Sequence, residues 1–205
     1  MPLNEILNSY YSKEQKQIFV LGIDGLGGSG KTTYAKSIEN SLKNEGIPVD
    51  ILHIDDFIHP RQIRYNPSKA DWECYYYIQW RYDYLIKEIL APIQLGCAIK
   101  KQIEVYDKLT DHYFLKNMRM PIDSILVIEG VFLQRAELNR YFDYMIYIDV
   151  PKEERFQRVL KRDTYIGDDL AIKEKYKNRY FPAEEKYTEK YVPAFQANRT
   201  ITTEN

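Results

Sequence analysis

A three-layer α/β fold, with a parallel sheet and helices on both faces, is predicted by three observations. Short apolar runs recur at 17–23 (QIFVLGI), 48–54 (PVDILHI), 124–128 (SILVI) and 143–150 (DYMIYIDV), with 199–203 (RTITT) as a fifth strand candidate. Helical patterns separate them, and strands alternating with helices argue for a parallel sheet covered on both sides. Five of the nine glycines lie between Gly22 and Gly30, at the end of the first run. In such sheets ligands bind beyond the carboxyl ends of the strands. That rule singles out 24–31, 55–57, 129–130 and the segment after Val150.

The elements follow in order. The run 17–23 is a short buried strand bounded by the glycine cluster. In 31–44, Ala35, Ile38 and Leu42 recur at helical spacing, and Gly46 is a C-terminal stop. A second strand covers 48–54. A helix is predicted over 69–90, with Trp72, Tyr75, Ile78, Tyr82, Leu85 and Ile89 on one face. Ser68-x-x-Asp71 fits a capping box at its start, and Pro92 follows it. The stretch 99–106 (IKKQIEVY) reads as an edge strand or hairpin. Two more helices, 152–163 and 169–180, follow the fourth strand, the second stopped by Pro182.

The 205 residues suit one domain spanning 1–205. A chain this long buries roughly 70 % of its unfolded surface, so it needs no disulfide or structural metal to fold. With 44 % hydrophobic and 29 % charged residues, wholesale disorder is excluded. A net charge of −1 gives no global basic field, which argues against nucleic acid as the main partner. Cys74 and Cys97 make no disulfide framework and, with His53, His59 and His112, no zinc-ligand spacing. Both cysteines are expected as buried or half-buried small apolar residues. The N-terminus lacks the basic and apolar regions of a signal peptide, and no apolar run reaches ~18 residues. The expected location is therefore cytoplasmic, with no membrane partner. Oligomeric state is not encoded in any motif.

Gly25-x4-Gly30-Lys31-Thr32 satisfies the phosphate-binding loop pattern. Gly25, Gly27, Gly28 and Gly30 let the backbone fold back so that N–H groups through Ser29 and Thr33 point at phosphate oxygens. The helix that follows adds the positive end of its dipole. Lys31 can reach the β- and γ-phosphates, and the Thr32 hydroxyl can ligate Mg2+. The predicted fold is thus a P-loop NTPase fold. The same stretch also fits Gly-x-Gly-x-x-Gly at Gly25, Gly27 and Gly30, the dinucleotide fingerprint, with Asp55 after the second strand. Lys-Thr directly after the third glycine has no use in that motif, whose third glycine packs helix on strand.

Two acidic sites complete the pattern. Glu129 ends an apolar strand, the form of a carboxylate placed near Mg2+. Asp55 and Asp56 close the second strand, where one is expected to cap and the other to work. Asp55 can take a proton from an acceptor hydroxyl or hold Mg2+ through water. Asp24 is expected to shape the loop as a hydrogen-bond acceptor. No Asn-Lys-x-Asp is present, which disfavours a GTPase. Arg155, Arg158 and Arg162 share one helical face, and guanidinium groups suit a transferring phosphoryl group. They suggest a small lid around 155–170, with 164–168 as its tip. The aromatic segment 65–84 is read mainly as helix packing. Tyr106 and Asp107 are candidates for the acceptor site.

These pieces resemble one family, uridine kinase with its phosphoribulokinase and pantothenate kinase relatives. The resemblance runs from about Phe19 to Ile201. It rests on GIDGLGGSGKTT at 22–33, HIDDF at 53–57, VYD at 105–107, VIEG at 127–130 and RFQRVLKRD at 155–163, with YFPAEEKY at 180–187 similar to the C-terminal region. It implies a P-loop kinase fold, ATP with Mg2+, and phosphoryl transfer to a hydroxyl. By motif, Asp55 is the base, Thr32, Glu129 and Asp55 lie near the metal, and Arg158 and Arg162 belong to the lid. Phe57, Tyr106 and Asp107 fall on the acceptor side, the last two within an insertion around 58–120. The acceptor-reading parts depart from uridine kinases. Tyr106-Asp107 is followed by Lys108, position 111 is Asp, and His112 falls one residue late. The Asn-Phe-Asp-His-Pro stretch has no counterpart near 72–77. The lid's Arg-Gly-Arg stands here as Ile166-Gly167-Asp168.

The function expected is ATP-dependent transfer of the γ-phosphoryl group to a hydroxyl of a nucleoside-like or other small metabolite. The alternatives are a nicotinamide or flavin dinucleotide oxidoreductase and a nucleotide-binding regulator without turnover.

Overall fold

A computed structural model describes residues 2–13 and 17–202. Its main sheet has five parallel strands: β1 (Phe19–Gly25), β2 (Val49–His53), β5 (Ile125–Gly130), β6 (Tyr144–Asp149) and β7 (Arg199–Thr202). Their spatial order is β2-β5-β1-β6-β7. Position 203 of the fifth strand candidate lies outside the described residues. The central strands β1 and β5 are buried along their whole length, as their unbroken apolar runs require when both faces are covered.

Alternate residues divide between the two faces. Phe19, Leu21 and Ile23 of β1 join Ile125 and Val127 of β5 under the helix α2 (Lys31–Asn44), whose Ala35, Ile38 and Leu42 are fully buried. A further helix, α1 (Leu3–Tyr11), packs on the same side through Ile6, Leu3 and Leu7. Nothing in the reading of the N-terminus anticipated it. Val20, Leu126 and Ile128 point the other way, into the larger core with Trp80, Phe132 and Tyr187. Gly46 ends α2: its N–H reaches the Lys43 carbonyl at 3.0 Å and Ile47 N–H the Leu42 carbonyl at 3.1 Å.

The expected helix 69–90 is two helical segments, 71–78 and 82–94. Between them the chain turns extended, and Trp80 bridges to Ile58. His59 N–H donates to Gln79 O and Arg81 N–H to Phe57 O, both at 2.8 Å. This pairing outcompetes helical continuation, and each segment contains a widened π turn, Cys74–Ile78 and Ile86–Leu90. The start is capped differently as well. Ala70 N–H donates to the Glu73 carboxylate at 3.0 Å, while Ser68 turns back onto Asn66. The segment 99–106 is one arm of a hairpin, β3 (Ile99–Asp107) with β4 (His112–Met120), separate from the main sheet.

At the C-terminal end, Lys152–Arg162 is helical as expected. The next helix does not stop at Pro182 but runs through 169–191. A π turn at Tyr176–Tyr180 precedes the proline, and its wider spacing accommodates a residue without an N–H. Cys74 is buried as expected, but Cys97 is exposed, in the turn after the second helical segment.

Candidate active site

The strand ends 24–31, 55–57 and 129–130 meet at one edge of the sheet, around a cavity of about 1000 Å3. Its base is the β1–α2 loop. Asp24 closes β1 with its carboxylate fully buried, accepting hydrogen bonds from Gly25 N–H (2.8 Å), Gln134 Nε2 (3.0 Å) and the Tyr187 hydroxyl (2.5 Å). Burial pushes its pKa up against those bonds. Gly28 has φ +80°, and a Cβ there would sit 2.7 Å from the Arg155 carbonyl oxygen, so only glycine lets the loop approach the arginine helix this closely.

Two residues from the C-terminal third hold the loop. Gly27 N–H donates to Glu184 Oε1 at 2.8 Å, and Gly27 O accepts from Arg155 Nη1 at 2.9 Å. Arg155 and Glu184 themselves pair at 2.9 Å, both buried. The three arginines of the helix therefore divide. Arg155 is locked beneath the loop rather than sharing an exposed face. Arg158 lies beside it, 3.4 Å from both Gly28 O and Ser29 O and paired with Glu154. Arg162 reaches the cavity wall while paired with Asp163 at 2.6 Å. At 164–168, Asp168 caps the following helix through Ala171 N–H at 2.9 Å. No sequence signal tied Glu184 to this site, because the residues it meets are far away in the chain.

Lys31, Thr32, Gly27 and Gly28 line the cavity floor. The Lys31 ammonium curls over the loop, donating to Leu26 O at 2.9 Å. Burial pulls its pKa down, opposed by the carboxylates of Glu129, Asp24, Asp55 and Glu184. Ser29 is buried within the loop. Gly25 and Gly30 frame it, and Thr33 stands on the exposed first turn of α2. Thr32 Oγ1 donates to Glu129 Oε1 at 2.9 Å, and His53 Nδ1 lies 2.5 Å from the same oxygen. Burial raises the Glu129 pKa, but the His53 bond, the Lys31 charge and the Thr32 bond together hold it below the ordinary value. His53 is correspondingly raised, chiefly by that hydrogen bond. It is a site residue that the sequence reading passed over.

Asp55 lines the cavity with its carboxylate half exposed, 3.9 Å from Lys108 Nζ. Neither Asp55 nor Asp56 accepts a backbone hydrogen bond among the described residues, so neither is the expected cap. Tyr106 is in the wall and donates to Asp111 Oδ1 at 2.6 Å. Asp107 lies outside the wall; its carboxylate accepts from Leu109 N–H and Thr110 Oγ1, each at 2.9 Å, at the hairpin tip. Phe57 is fully buried, packed on Tyr84 with ring centroids 6.3 Å apart. Most of the aromatic segment is core, including Tyr75, Tyr76, Trp80 and Tyr82.

A parallel sheet whose central strand runs into such a loop, with a carboxylate at a neighbouring strand end beside its threonine, defines the class of P-loop nucleotide-binding folds. The chain belongs to the phosphoribulokinase / uridine kinase family, whose model matches residues 20–198. It is 30 % identical over 152 residues to the uridine kinase of Borrelia garinii subsp. bavariensis, a match covering 70 % of this chain and 66 % of that one. The uridine kinase of Ureaplasma parvum serovar 3 is 28 % identical over 158 residues, 72 % of this chain and 70 % of that one. Among solved structures, a possible uridine kinase from Bacillus stearothermophilus superposes with a TM-score of 0.76 at 30 % identity, covering 97 % of this chain and 96 % of that one. A D-glycerate 3-kinase from Cryptococcus neoformans shares the fold, with a TM-score of 0.64 at 13 % identity over 89 % of this chain and 86 % of that one. Among the described residues no helix is long and apolar enough to cross a membrane.

Proposed function

We propose that the chain transfers the γ-phosphoryl group of ATP to a hydroxyl of a small metabolite, in the cytoplasm. The observation that carries this reading is the single cavity. It runs from the glycine loop, with Gly27, Gly28, Lys31 and Thr32, past Asp55 to Tyr106 and Arg64. Donor and acceptor therefore share one space.

The loop amides and Lys31 hold the phosphates, with Gly25, Gly27, Gly28, Ser29, Gly30, Thr32 and Thr33 shaping the cradle. Thr32 and Glu129 offer hard oxygen donors 2.9 Å apart, which fit Mg2+; Asp55 is the third candidate. No cluster of three or more His, Cys, Asp or Glu suited to a metal occurs among the described residues. Phosphate oxygens and water would supply the other ligands, as Mg2+ usually keeps several waters. When bound, Mg2+ offsets charge on the β- and γ-phosphates. Asp55 accepts the proton of the attacking hydroxyl, and Arg158 and Arg162 face the phosphoryl group from a lid around 155–170. The insertion around 58–120 forms the acceptor side, where Tyr106 is the substrate candidate that reaches the cavity.

The test is acceptor-dependent ADP release from ATP–Mg2+. Lys31→Ala is expected to lower it about 10^2–10^3-fold with the fold intact, the scale at which a single charge-stabilising donor acts. Asp55→Asn is expected to keep ATP binding and lose transfer. Transfer by Asp55→Asn at the parental rate would remove Asp55 from the role of base.

A further inference from the structure

Four arginines are buried: Arg64, Arg135, Arg155 and Arg179. Two have a carboxylate at hydrogen-bonding distance, Arg155 on Glu184 at 2.9 Å and Arg135 on Glu137 at 2.7 Å. The other two do not: Arg64 lines the acceptor end of the cavity, and Arg179 lies behind that wall, against Gln79 and Tyr65, which line it. Arg179 donates to two neutral oxygens, Asp71 O at 3.1 Å and Gln79 Oε1 at 2.7 Å. Arg64 donates to His59 O at 2.7 Å, and its nearest carboxylate, Asp111, is 4.0 Å away and shared with Arg61. Both guanidinium groups lie over the ring of Tyr65, at 4.4 and 5.6 Å. Arg64 also covers Tyr106 at 4.9 Å. The cavity wall at this end carries three cations, Arg61, Arg64 and Lys108, with Asp55 as its carboxylate; Asp111 stands 4.0 Å from both Arg61 and Arg64, and Asp55 3.9 Å from Lys108, all beyond hydrogen-bonding distance. A buried guanidinium whose carboxylate stands too far away for a hydrogen bond, as for Arg64, is only partly compensated, and an anion docking beside it in the cavity makes up the difference.

The orientation of Gln79 adds to this. A guanidinium only donates, so Arg179 fixes the Gln79 oxygen toward itself and leaves the Gln79 NH2 as the group available to the cavity that Gln79 lines. That wall therefore offers an amide N–H pair, guanidinium groups and an ammonium.

We infer that the acceptor is a small hydroxyl compound carrying an anionic end, carboxylate or phosphate, which docks against Gln79, Arg64 and Lys108 with its hydroxyl toward Asp55. A neutral nucleoside has no group that needs this excess of positive charge. The inference rests on the kinase reading and narrows its substrate class.

The test compares matched pairs in the ADP-release assay: D-glycerate against glycerol, and D-ribose 5-phosphate against D-ribose, with uridine and cytidine beside them. An anionic member is expected to exceed its neutral partner and both nucleosides at least tenfold in kcat/KM, with an acceptor KM that rises with salt. Gln79→Glu is the discriminating variant, because the new carboxylate pairs with Arg179 and preserves the fold. It is expected to raise the KM for the anionic acceptor at least tenfold and leave the KM for ATP unchanged. Preference for uridine, cytidine or a neutral partner would overturn the inference and leave the kinase standing, as would an unchanged acceptor KM in Gln79→Glu. If no probe releases ADP, the same probes are titrated by thermal shift onto protein holding a non-hydrolysable ATP analogue. Stabilisation by the anions alone, lost in Gln79→Glu, supports the inference, and equal or absent shifts overturn it. Failure of the ATP analogue to bind at all would overturn the kinase reading and this inference together.

Discussion

Glu184 holds an amide 157 residues earlier in the chain, and its pairing with Arg155 shows what one buried carboxylate does for a loop made largely of glycine. The loop has few side chains to hold it. Its shape depends on what its N–H and C=O groups meet, and at Gly27 one meets Glu184 and the other Arg155. Removing the carboxylate strands a guanidinium that has almost no access to water. Glu184→Ala is therefore expected to cost about 3–5 kcal/mol, measured by urea unfolding, as for other broken buried ion pairs. Glu184→Gln keeps a hydrogen-bonding oxygen for Gly27 and is expected to recover part of that loss. An effect within ~0.5 kcal/mol for Glu184→Ala would mean that the pair does not hold the loop. Lys31, Thr32, Asp55 and Glu129 were legible because each sits at a strand end or in a short motif, where local spacing carries the information. Glu184, His53 and Gln79 were not, because their partners are brought near only by folding.

At the level of elements the same contrast appears in the stretch 69–90. Its apolar spacing suits a helix, and most of it is helical. What the spacing does not carry is the break at 79–81, which exists because Trp80 pairs with Ile58 across the cavity's flank. Pro182 misled for the opposite reason: a local breaker was absorbed by a π turn just before it. The elements around the break meet on Phe132, in the segment just after β5. It is fully buried at φ +65° and touches Tyr75, Tyr76, Trp80 and Tyr187 with ring centroids 5.0–6.1 Å away. One side chain thus ties the first helical segment and the break that follows it to the C-terminal helix. Phe132→Ala is expected to destabilise by about 3–5 kcal/mol in denaturant unfolding, the range for truncating a buried phenylalanine. Phe132→Leu keeps most of the volume and is expected to cost well under half of that. Similar costs for the two would show that ring packing, rather than filled volume, sets the stability here.

For the whole molecule, the strand order β2-β5-β1-β6-β7 decides which chemistry the site can do, and no local pattern contains it. The order places β5 against β1 with Glu129 opposite Ile23, so the Glu129 carboxylate arrives beside Thr32. It also bears on the competing dinucleotide reading of Gly25, Gly27 and Gly30. In a dinucleotide loop the third glycine is needed where helix and strand pack closely. Here a Cβ on Gly30 would meet only Arg158 Nη1, at 3.9 Å, so no close packing demands glycine. The conformation does, with φ +93° where the loop turns into α2. Lys31, the next residue, points back over the loop, where a phosphate chain would lie. Ligand linkage turns this into a measurement on the intact protein. A ligand at 100 times its Kd stabilises by about 2.7 kcal/mol. For a chain of this size that is a rise in Tm of about 5–10 °C. ATP–Mg2+ is expected to give such a rise, to lose it in Lys31→Ala, and to lose most of it when EDTA removes the metal. NADH at the same concentration is expected to leave Tm unchanged. A rise with NADH and none with ATP–Mg2+ would transfer the loop, with the same glycines in the same places, to the dinucleotide class.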